Sequence, residues 1–170
     1  KFLEIIVMKI ILKNKKTLVY DDFQFKCVIG INGSTSNKVE GDKKTPKGIY
    51  SLGPLYYRAD RIEKPFTKIR IIKIKKSMGW CDDIHHKKYN KLIKVDNRTK
   101  FEKMWRRDHI YDLLIPINYN YNKVIKNKGS AIFIHLTKNY KKTLGCIALK
   151  KNDFLILLKL IKKKTKIKII

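Results

Sequence analysis

The stretch Ser130-Ala-Ile-Phe-Ile-His-Leu136 has a histidine as its last residue but one. Six residues separate it from the stretch Thr143-Leu-Gly-Cys-Ile147. The first stretch has the apolar and β-branched residues of a buried strand. A cysteine nucleophile needs a base that accepts its proton and N–H groups that hold an oxyanion. We predict that Gly145 permits the sharp turn that presents the Cys146 thiol, and that His135 reaches the thiol as its base. The same pattern also fits a buried structural cysteine and a hydrogen-bonded strand-edge histidine.

Short strand patterns surround this pair. Alternating apolar and polar residues predict a hairpin near the N-terminus, followed by a loop rich in Gly, Ser, Asn and Thr. The predicted strands are residues 9–19, 23–30, 49–52, 68–75, 110–119, 130–136 and 166–170. Residues 32–48 and 77–100 are predicted to be loops, and residues 102–108 a helical turn.

One amphipathic helix is predicted after Cys146. Asn152 or Asp153 is expected to cap it. Its broad apolar stripe consists of Phe154, Leu155, Leu157, Leu158 and Ile161. Such a helix packs on a sheet or lies on a membrane surface. The expected fold is mainly β (β-rich α+β), a sandwich-like or barrel-like sheet with one C-terminal amphipathic helix.

The length of 170 residues suits a single domain, and the 44% of hydrophobic residues excludes a disordered or fibrous chain. No apolar run approaches the roughly 18 residues that cross a bilayer, so no transmembrane segment is expected. Residues 1–8 are interpreted as an N-terminal extension and residues 9–170 as the domain, with Met8 a candidate initiator. The first residues lack the apolar region and cleavage site of a signal peptide.

The chain is strongly basic, with 41 Lys and Arg against 14 Asp and Glu and a formal net charge of +27. Such a charge favours a polyanionic partner, for example nucleic acid, phospholipid or an acidic cell-wall polymer. However, 35 of the 41 basic residues are lysine, an excess that AT-rich codons also produce. A nucleic-acid reader would rely more on arginine, so no specific nucleic-acid partner is predicted.

The three cysteines are too few and too scattered for a disulfide framework. The segment Cys81-Asp-Asp-Ile-His-His86 offers a rival site, either a zinc site or a second Cys/His pair. A zinc site needs further ligands, and only His109 is left to supply one. We therefore predict no metal and no cofactor. We expect Trp80 and Cys81 to pack beside a cleft, with Asp82 and Asp83 as loop acceptors or substrate contacts.

Several motifs, in the same order along the chain, resemble the L,D-transpeptidase catalytic domain of the YkuD type. His135 and Thr143-Leu-Gly-Cys146 resemble the family signature His…Ser/Thr-His-Gly-Cys. Gly41-Asp-Lys-Lys-Thr-Pro-Lys-Gly48 resembles its Gly-Asp-x-x-Thr-Pro-x-Gly segment. Three further stretches resemble a compact subgroup, namely Gly79-Trp-Cys-Asp-Asp83, Tyr89-Asn90 and Asp108-His-Ile-Tyr-Asp-Leu113. The resemblance covers residues 9–170.

This resemblance implies acyl transfer on peptidoglycan stem peptides. Cys146 would be the nucleophile and His135 its base, while Gly145 and Cys146 would supply the N–H groups for the oxyanion. The residues expected to line the site and contact substrate are Thr143, Leu144, Trp80, Asp82 and His109. The loops expected to build the cleft are residues 77–92, 105–112 and 137–146. The Thr45-Pro46 pair is expected to hold a turn.

Two residues depart from the family pattern. Leu144 stands where the common motif has a second histidine, and Ala148 stands where most members have an arginine thought to contact substrate. Another cation must then hold the substrate carboxylate. The candidates are Arg58, Arg61, Arg106 and Arg107.

Three functions remain open at this point. The first is L,D-transpeptidation, and the second is an L,D-carboxypeptidase in which water replaces the acceptor amine. The third is a non-catalytic basic module that binds anionic wall polymer or nucleic acid. The resemblance favours the cell envelope or periplasm as the location, with the cytoplasm as the alternative.

Overall fold

The computed structural model describes residues 8–96 and 98–170 of the chain. The expected N-terminal extension, apart from Met8, lies outside the described residues. The described strands are β1 (Lys9–Lys13), β2 (Thr17–Tyr20), β3 (Phe23–Val28), β4 (Ser34–Thr35), β5 (Thr45–Pro46), β6 (Gly48–Ser51), β7 (Leu55–Tyr57), β8 (Ile71–Lys73), β9 (Met78–Cys81), β10 (Leu92–Lys94), β11 (Phe101–Lys103), β12 (Leu113–Pro116), β13 (Phe133–Leu136), β14 (Ile147–Leu149) and β15 (Lys166–Ile169). Helix α1 (Lys151–Leu160) lies between β14 and β15.

The main sheet has ten strands in the order β6-β15-β1-β2-β3-β14-β13-β12-β7-β8 and curls into a half-barrel. Strands β13 and β14 are parallel neighbours at its middle, with Ile134 beside Ile147 and His135 beside Ala148. A three-stranded sheet, β10-β9-β11, and the β4-β5 pair complete the fold. The predicted class, mainly β with one C-terminal helix, is confirmed.

Strand β13 separates two packed clusters. Side chains alternate along a strand, so Ile134 and Leu136 face one side while Phe133 and His135 face the other. The first side carries the larger core, which includes the helix residues Phe154, Leu157 and Leu158. The second side carries a smaller cluster of Tyr56, Ile74, Trp80, Met104, Tyr111, Leu114, Phe133 and Cys146. The side of the sheet that carries Phe133 and Cys146 is thus packed separately from the side that holds the helix.

Helix α1 buries the predicted stripe, with Phe154, Leu157 and Leu158 fully inside and Leu155 packed against them. Its start differs from the prediction, because the N-cap is Lys150 and no side chain caps the helix. Asn152 and Asp153 lie within the first turn instead. The helix packs on the sheet, which is one of the two arrangements predicted for it.

Several further local predictions were wrong. Residues 32–48, predicted to be a loop, contain β4 and β5. Residues 9–19 form two strands, because Asn14 and Lys15 turn the chain with positive φ angles of 46° and 62°. Residues 77–100 contain β9 and β10 and are not a continuous loop. Residues 102–108 contain the end of strand β11 in place of a helical turn. The strand predicted over 110–119 is confined to β12.

Within the described part of the chain, no helix has the length and apolar character needed to cross a membrane.

Candidate active site

The turn before β14 has a backbone that only glycine suits. Gly145 has a φ of 140°, and a Cβ atom placed on it would lie 3.0 Å from the Lys44 carbonyl oxygen. Inside the turn, the Gly145 N–H donates to Thr143 Oγ1 at 3.1 Å, and that hydroxyl donates to the Cys146 carbonyl at 2.6 Å. The threonine hydroxyl is therefore committed to shaping the turn that carries Cys146.

A second threonine attaches this turn to the rest of the sheet. Thr45, fully buried in β5, donates through Oγ1 to the Gly145 carbonyl at 2.8 Å. The same oxygen accepts the Gly30 N–H at 3.0 Å. The Thr45-Pro46 pair, expected to hold a local turn, forms strand β5 instead, and Thr45 holds the turn of the candidate nucleophile from 100 residues away in sequence.

Cys146 and His135 lie on one face of adjacent strands. The register places Ile147 beside Ile134, so Cys146 lies beside Phe133. The Phe133 N–H donates to Cys146 Sγ at 3.3 Å. His135 follows two residues after Phe133 and therefore points to the same side. Both side chains line one cleft.

The Cys146 thiol is 8% exposed and donates to the Ala131 carbonyl at 3.2 Å. Burial raises its pKa to about 12, against the opposing effect of the Phe133 N–H. The thiol is therefore protonated at neutral pH in the resting site.

His135 is neutral as well. Burial lowers its pKa to about 4, although its bond to the Leu136 carbonyl opposes the shift. Nδ1 lies 2.8 Å from that carbonyl oxygen, so Nδ1 carries the proton and Nε2 is left as the basic nitrogen. Burial therefore leaves both the thiol and the imidazole uncharged in the resting site.

An aromatic and ionic network backs the imidazole. The Tyr111 ring meets His135 edge-on with 5.2 Å between ring centroids. The Tyr111 hydroxyl donates to Glu102 Oε1 at 3.1 Å, and Arg106 lies 3.3 Å from the same oxygen. Arg106 also pairs with Asp108 at 2.7 Å. This network fixes the wall of the cleft beside the candidate base.

The cleft is open and has a volume of about 1000 Å³. Its walls come from the predicted 77–92, 105–112 and 137–146 loops, and also from residues 38–43 and 127–132. The lysines among its lining residues are Lys38, Lys43, Lys100, Lys138, Lys141 and Lys142. The acidic lining residues are Glu40, Asp82, Asp83, Glu102 and Asp108. The cleft can therefore contact both anionic and cationic parts of a ligand.

Three of the residues predicted to contact substrate lie in this cleft. Leu144 is 75% exposed at its rim, Thr143 lines it, and Asp82 lies in its wall. The Asp82 Oδ1 atom is buried without a hydrogen-bond partner among the described residues, and burial raises the pKa of this carboxyl.

The other two predicted contacts lie elsewhere. Trp80 is 4% exposed, and its indole N–H donates to Asn90 Oδ1 at 2.8 Å, beneath the cleft. His109 lines a separate, smaller cavity with Arg61 and Lys150, and its Nε2 lies 3.1 Å from the Thr137 carbonyl.

Of the four candidate arginines, Arg106 lines the cleft. Arg58 is buried over the Trp105 ring and bound to Asp60. Arg61 pairs with Asp112 at the smaller cavity. Arg107 is not among the residues that line either cavity.

The rival segment does not form a ligand cluster. Cys81 Sγ lies 3.7 Å from His86 Nδ1, but Cys81 is fully buried and burial raises its pKa. No group of three or more potential metal ligands is found among residues 8–96 and 98–170. All three cysteines are free and buried.

Comparison with known families agrees with the motifs. The model of the L,D-transpeptidase catalytic domain (YkuD) matches residues 7–169. No significant match was found among curated proteins or solved structures. The family match spans nearly the whole chain and includes the turn of Cys146 and the strand of His135. The chain therefore belongs to the L,D-transpeptidase catalytic domain family.

Proposed function

We propose that this protein is an L,D-transpeptidase that transfers an acyl group between peptidoglycan stem peptides. The observation that carries the proposal is the placement of Cys146, directly before β14, and of His135, in the neighbouring parallel strand β13, at the wall of one cleft. Membership of the family supplies the substrate class. The neutral state of both groups determines how the nucleophile is activated.

Activation is a proton transfer between neutral groups. As substrate enters, the thiol proton passes from Cys146 Sγ to His135 Nε2, and the thiolate attacks the carbonyl carbon that precedes the terminal D-residue. The negative charge moves to the carbonyl oxygen, which the Cys146 N–H stabilises. The Gly145 N–H joins it after leaving Thr143 Oγ1, its partner at rest.

The imidazolium then protonates the leaving nitrogen. The bond to the terminal D-residue breaks, and a thioester between Cys146 and the stem peptide remains. The amine of a second stem peptide attacks the thioester, His135 takes up the amine proton, and the thiol is restored. The Leu136 carbonyl stabilises the transient imidazolium by accepting the Nδ1–H bond throughout.

Arg106 is proposed as the cation that holds the substrate carboxylate in place of the arginine missing at Ala148. It is the one candidate arginine that lines the cleft. Its pairing with Glu102 and Asp108 holds it in a fixed position. Leu144, exposed beside the nucleophile, supplies an apolar contact where the common motif has a histidine.

The basic surface is proposed to attract anionic wall polymer. The net charge of +27 favours long-range attraction to a polyanion, and six lysines line the cleft. A cell-envelope location follows from the substrate class of the family.

Mass spectrometry of purified protein incubated with tetrapeptide muropeptides tests the proposal. We expect loss of the terminal D-residue, cross-linked dimers and an acyl adduct on Cys146. Cys146→Ala should abolish all three, whereas Cys27→Ala and Cys81→Ala should retain them. Tripeptide products without dimers would indicate the carboxypeptidase. Absence of products and of an adduct in the unaltered protein would indicate a non-catalytic binding module.

A further inference from the structure

The segment before β13 is held residue by residue. The Gly129 N–H donates to the Tyr89 hydroxyl at 3.1 Å, and the Ser130 hydroxyl donates to Glu40 Oε2 at 2.7 Å. The Ala131 N–H donates to Asn90 Oδ1 at 3.1 Å. Tyr89 also donates to Glu40, so the anchors are linked to one another. We call residues 129–131 the held segment.

Asn90 is the centre of these contacts. It is 3% exposed, and its Oδ1 atom accepts from Ala131 and from the Trp80 indole. Its Nδ2 atom donates to the Tyr119 carbonyl at 3.0 Å and to the Asn120 carbonyl at 2.7 Å. Both polar atoms of the amide thus make two hydrogen bonds each, which fixes the position of Oδ1.

Ala131 needs this support. Its φ of 51° lies in the left-handed region, which is unfavourable for alanine. In this conformation the Ala131 carbonyl accepts a hydrogen bond from the Cys146 thiol. Two residues later, the Phe133 N–H donates to the same sulfur. The held segment therefore provides one hydrogen-bond partner of the candidate nucleophile, the Ala131 carbonyl, and leads into β13, whose first residue provides the other.

We propose that Asn90 is a positioning residue for Cys146, acting through the carbonyl of Ala131. By fixing Ala131, Asn90 keeps an acceptor on the thiol proton, so the resting thiol stays neutral and directed within the cleft. The thiol gives up this bond only when its proton moves to His135. The inference rests on the proposed role of Cys146 as the nucleophile.

This role has a signature that general destabilisation lacks. A carbonyl acceptor stabilises the protonated thiol, whereas the Phe133 N–H stabilises the thiolate. When Asn90 no longer fixes Ala131, the carbonyl acceptor is lost and the pKa of the Cys146 thiol falls. Alkylation of Cys146 near neutral pH should then become faster while acyl transfer becomes slower.

The test is Asn90→Gly. Asn90 has a φ of 57°, which glycine adopts without strain, so the substitution removes the amide and keeps the backbone. Iodoacetamide labelling of each cysteine is followed by mass spectrometry between pH 6 and 10, with kcat and KM for muropeptides alongside. We expect Cys146 to label about tenfold faster at pH 7.5, which corresponds to a pKa lower by about one. We also expect lower kcat with little change in KM, while Cys27 stays unlabelled.

Thr165→Ala is the matched control. Thr165 is buried, and its Oγ1 accepts the Lys162 N–H at 2.8 Å, a contact that includes no residue of the held segment. It should lower stability without changing the Cys146 labelling profile. An unchanged profile in Asn90→Gly, or the same change in Thr165→Ala, overturns the proposal.

Tyr89→Phe provides a second variant in case Asn90→Gly loses the fold, which parallel labelling of Cys27 would reveal. It removes the hydroxyl that holds Gly129 and keeps the ring. Faster labelling confined to Cys146 supports the proposal, and a wild-type profile in a folded Tyr89→Phe protein overturns it. Absence of muropeptide turnover in the unaltered protein would refute the proposed function, while the labelling profile would still decide the role of Asn90.

Discussion

Cys146 and His135 are positioned for chemistry but hold no charge at rest. Burial raises the thiol pKa to about 12 and lowers the imidazole pKa to about 4. A reactive cysteine of the ion-pair type would show opposite shifts. In the mechanism proposed above the thiolate forms only together with proton transfer, which would limit reaction with adventitious electrophiles.

The first prediction concerns His135→Gln. Because His135 is neutral, its removal should leave the Cys146 alkylation profile within about twofold of wild type while acyl transfer is lost. Alkylation of Cys146 in both proteins should keep rising by about tenfold per pH unit up to pH 10, since the thiol pKa lies above that range. The measurement is the iodoacetamide rate against pH. Slower labelling of His135→Gln at pH 7 would instead indicate a thiolate–imidazolium pair.

A second prediction at the same scale concerns Thr45→Val. The substitution keeps the shape but leaves the buried Gly30 N–H and Gly145 carbonyl without their partner. The free energy of unfolding should fall by about 1–3 kcal/mol, and acyl transfer should fall because the turn of Cys146 loosens. Urea unfolding and muropeptide turnover measure the two effects. Thr17→Val, in a strand away from the turn, serves as the control, and equal stability losses would exclude a specific role for Thr45.

The sequence could indicate residues whose chemistry is local and could not indicate those whose role depends on distant partners. The candidate roles of Cys146, Gly145 and His135 can be predicted from the motifs that contain these residues. Asn90 acts through contacts with a segment 41 residues away. The motif that contains Tyr89 and Asn90 drew attention to these residues, but nothing in the sequence indicates their contacts with Gly129 and Ala131.

Strands follow a similar rule at the scale of elements. Strand β13 was predictable from its sequence, because apolar residues occupy both of its faces and its ends are clearly marked. Strands β9 and β10 are short and lie in a polar stretch, and they pair with each other across the turn at residues 82–91. Their pairing depends on tertiary packing of Trp80, which no local periodicity reveals.

Helix α1 offers a prediction about its N-terminus. Lys150 occupies the N-cap with an extended backbone, φ −65° and ψ 151°, and makes no side-chain cap. Lys150→Ser should satisfy one of the free N–H groups of the first turn and stabilise the protein by about 1 kcal/mol. For a domain of this size, the melting temperature should rise by about 2–4 °C. Thermal unfolding measures the effect. Lys151→Ser, one residue inside the helix, is the matched control, and an equal gain there would show that the gain does not come from capping.

The whole molecule combines a curled sheet, a helix on one side and a cleft on the other. The main outcome of the fold prediction, a β-rich domain with one terminal helix, follows from periodicity and is confirmed. The separation of the two sides follows from the alternation in β13, which directs Ile134 into the core and His135 into the cleft. Burial of the proposed catalytic pair beside this second cluster links the proposed chemistry to the stability of the entire domain.

This link predicts a specific dependence of stability on acid. His135 has a folded pKa of about 4 against 6.5 in the unfolded chain, so between these values the unfolded state binds the extra proton. Stability therefore rises with pH across this window and is lost as pH falls from 6.5 to 4, by up to about 3 kcal/mol from this group. Above pH 9 the sign reverses, because Cys27 and Cys146 ionise in the unfolded chain but have folded pKa values of about 12.

The acid limb can be assigned to His135 by urea unfolding at pH 7.0, 5.5 and 4.5. In His135→Gln the titrating group is absent, so the decline in unfolding free energy with falling pH should be shallower by up to about 1.4 kcal/mol per pH unit. The comparison uses slopes, so a constant loss of stability from the substitution does not affect it. His85→Gln, which changes an exposed loop histidine, is the matched control. Parallel slopes in wild type and His135→Gln would show that the imidazole is not held neutral by the fold, and the proton-transfer mechanism between neutral groups would fail with it.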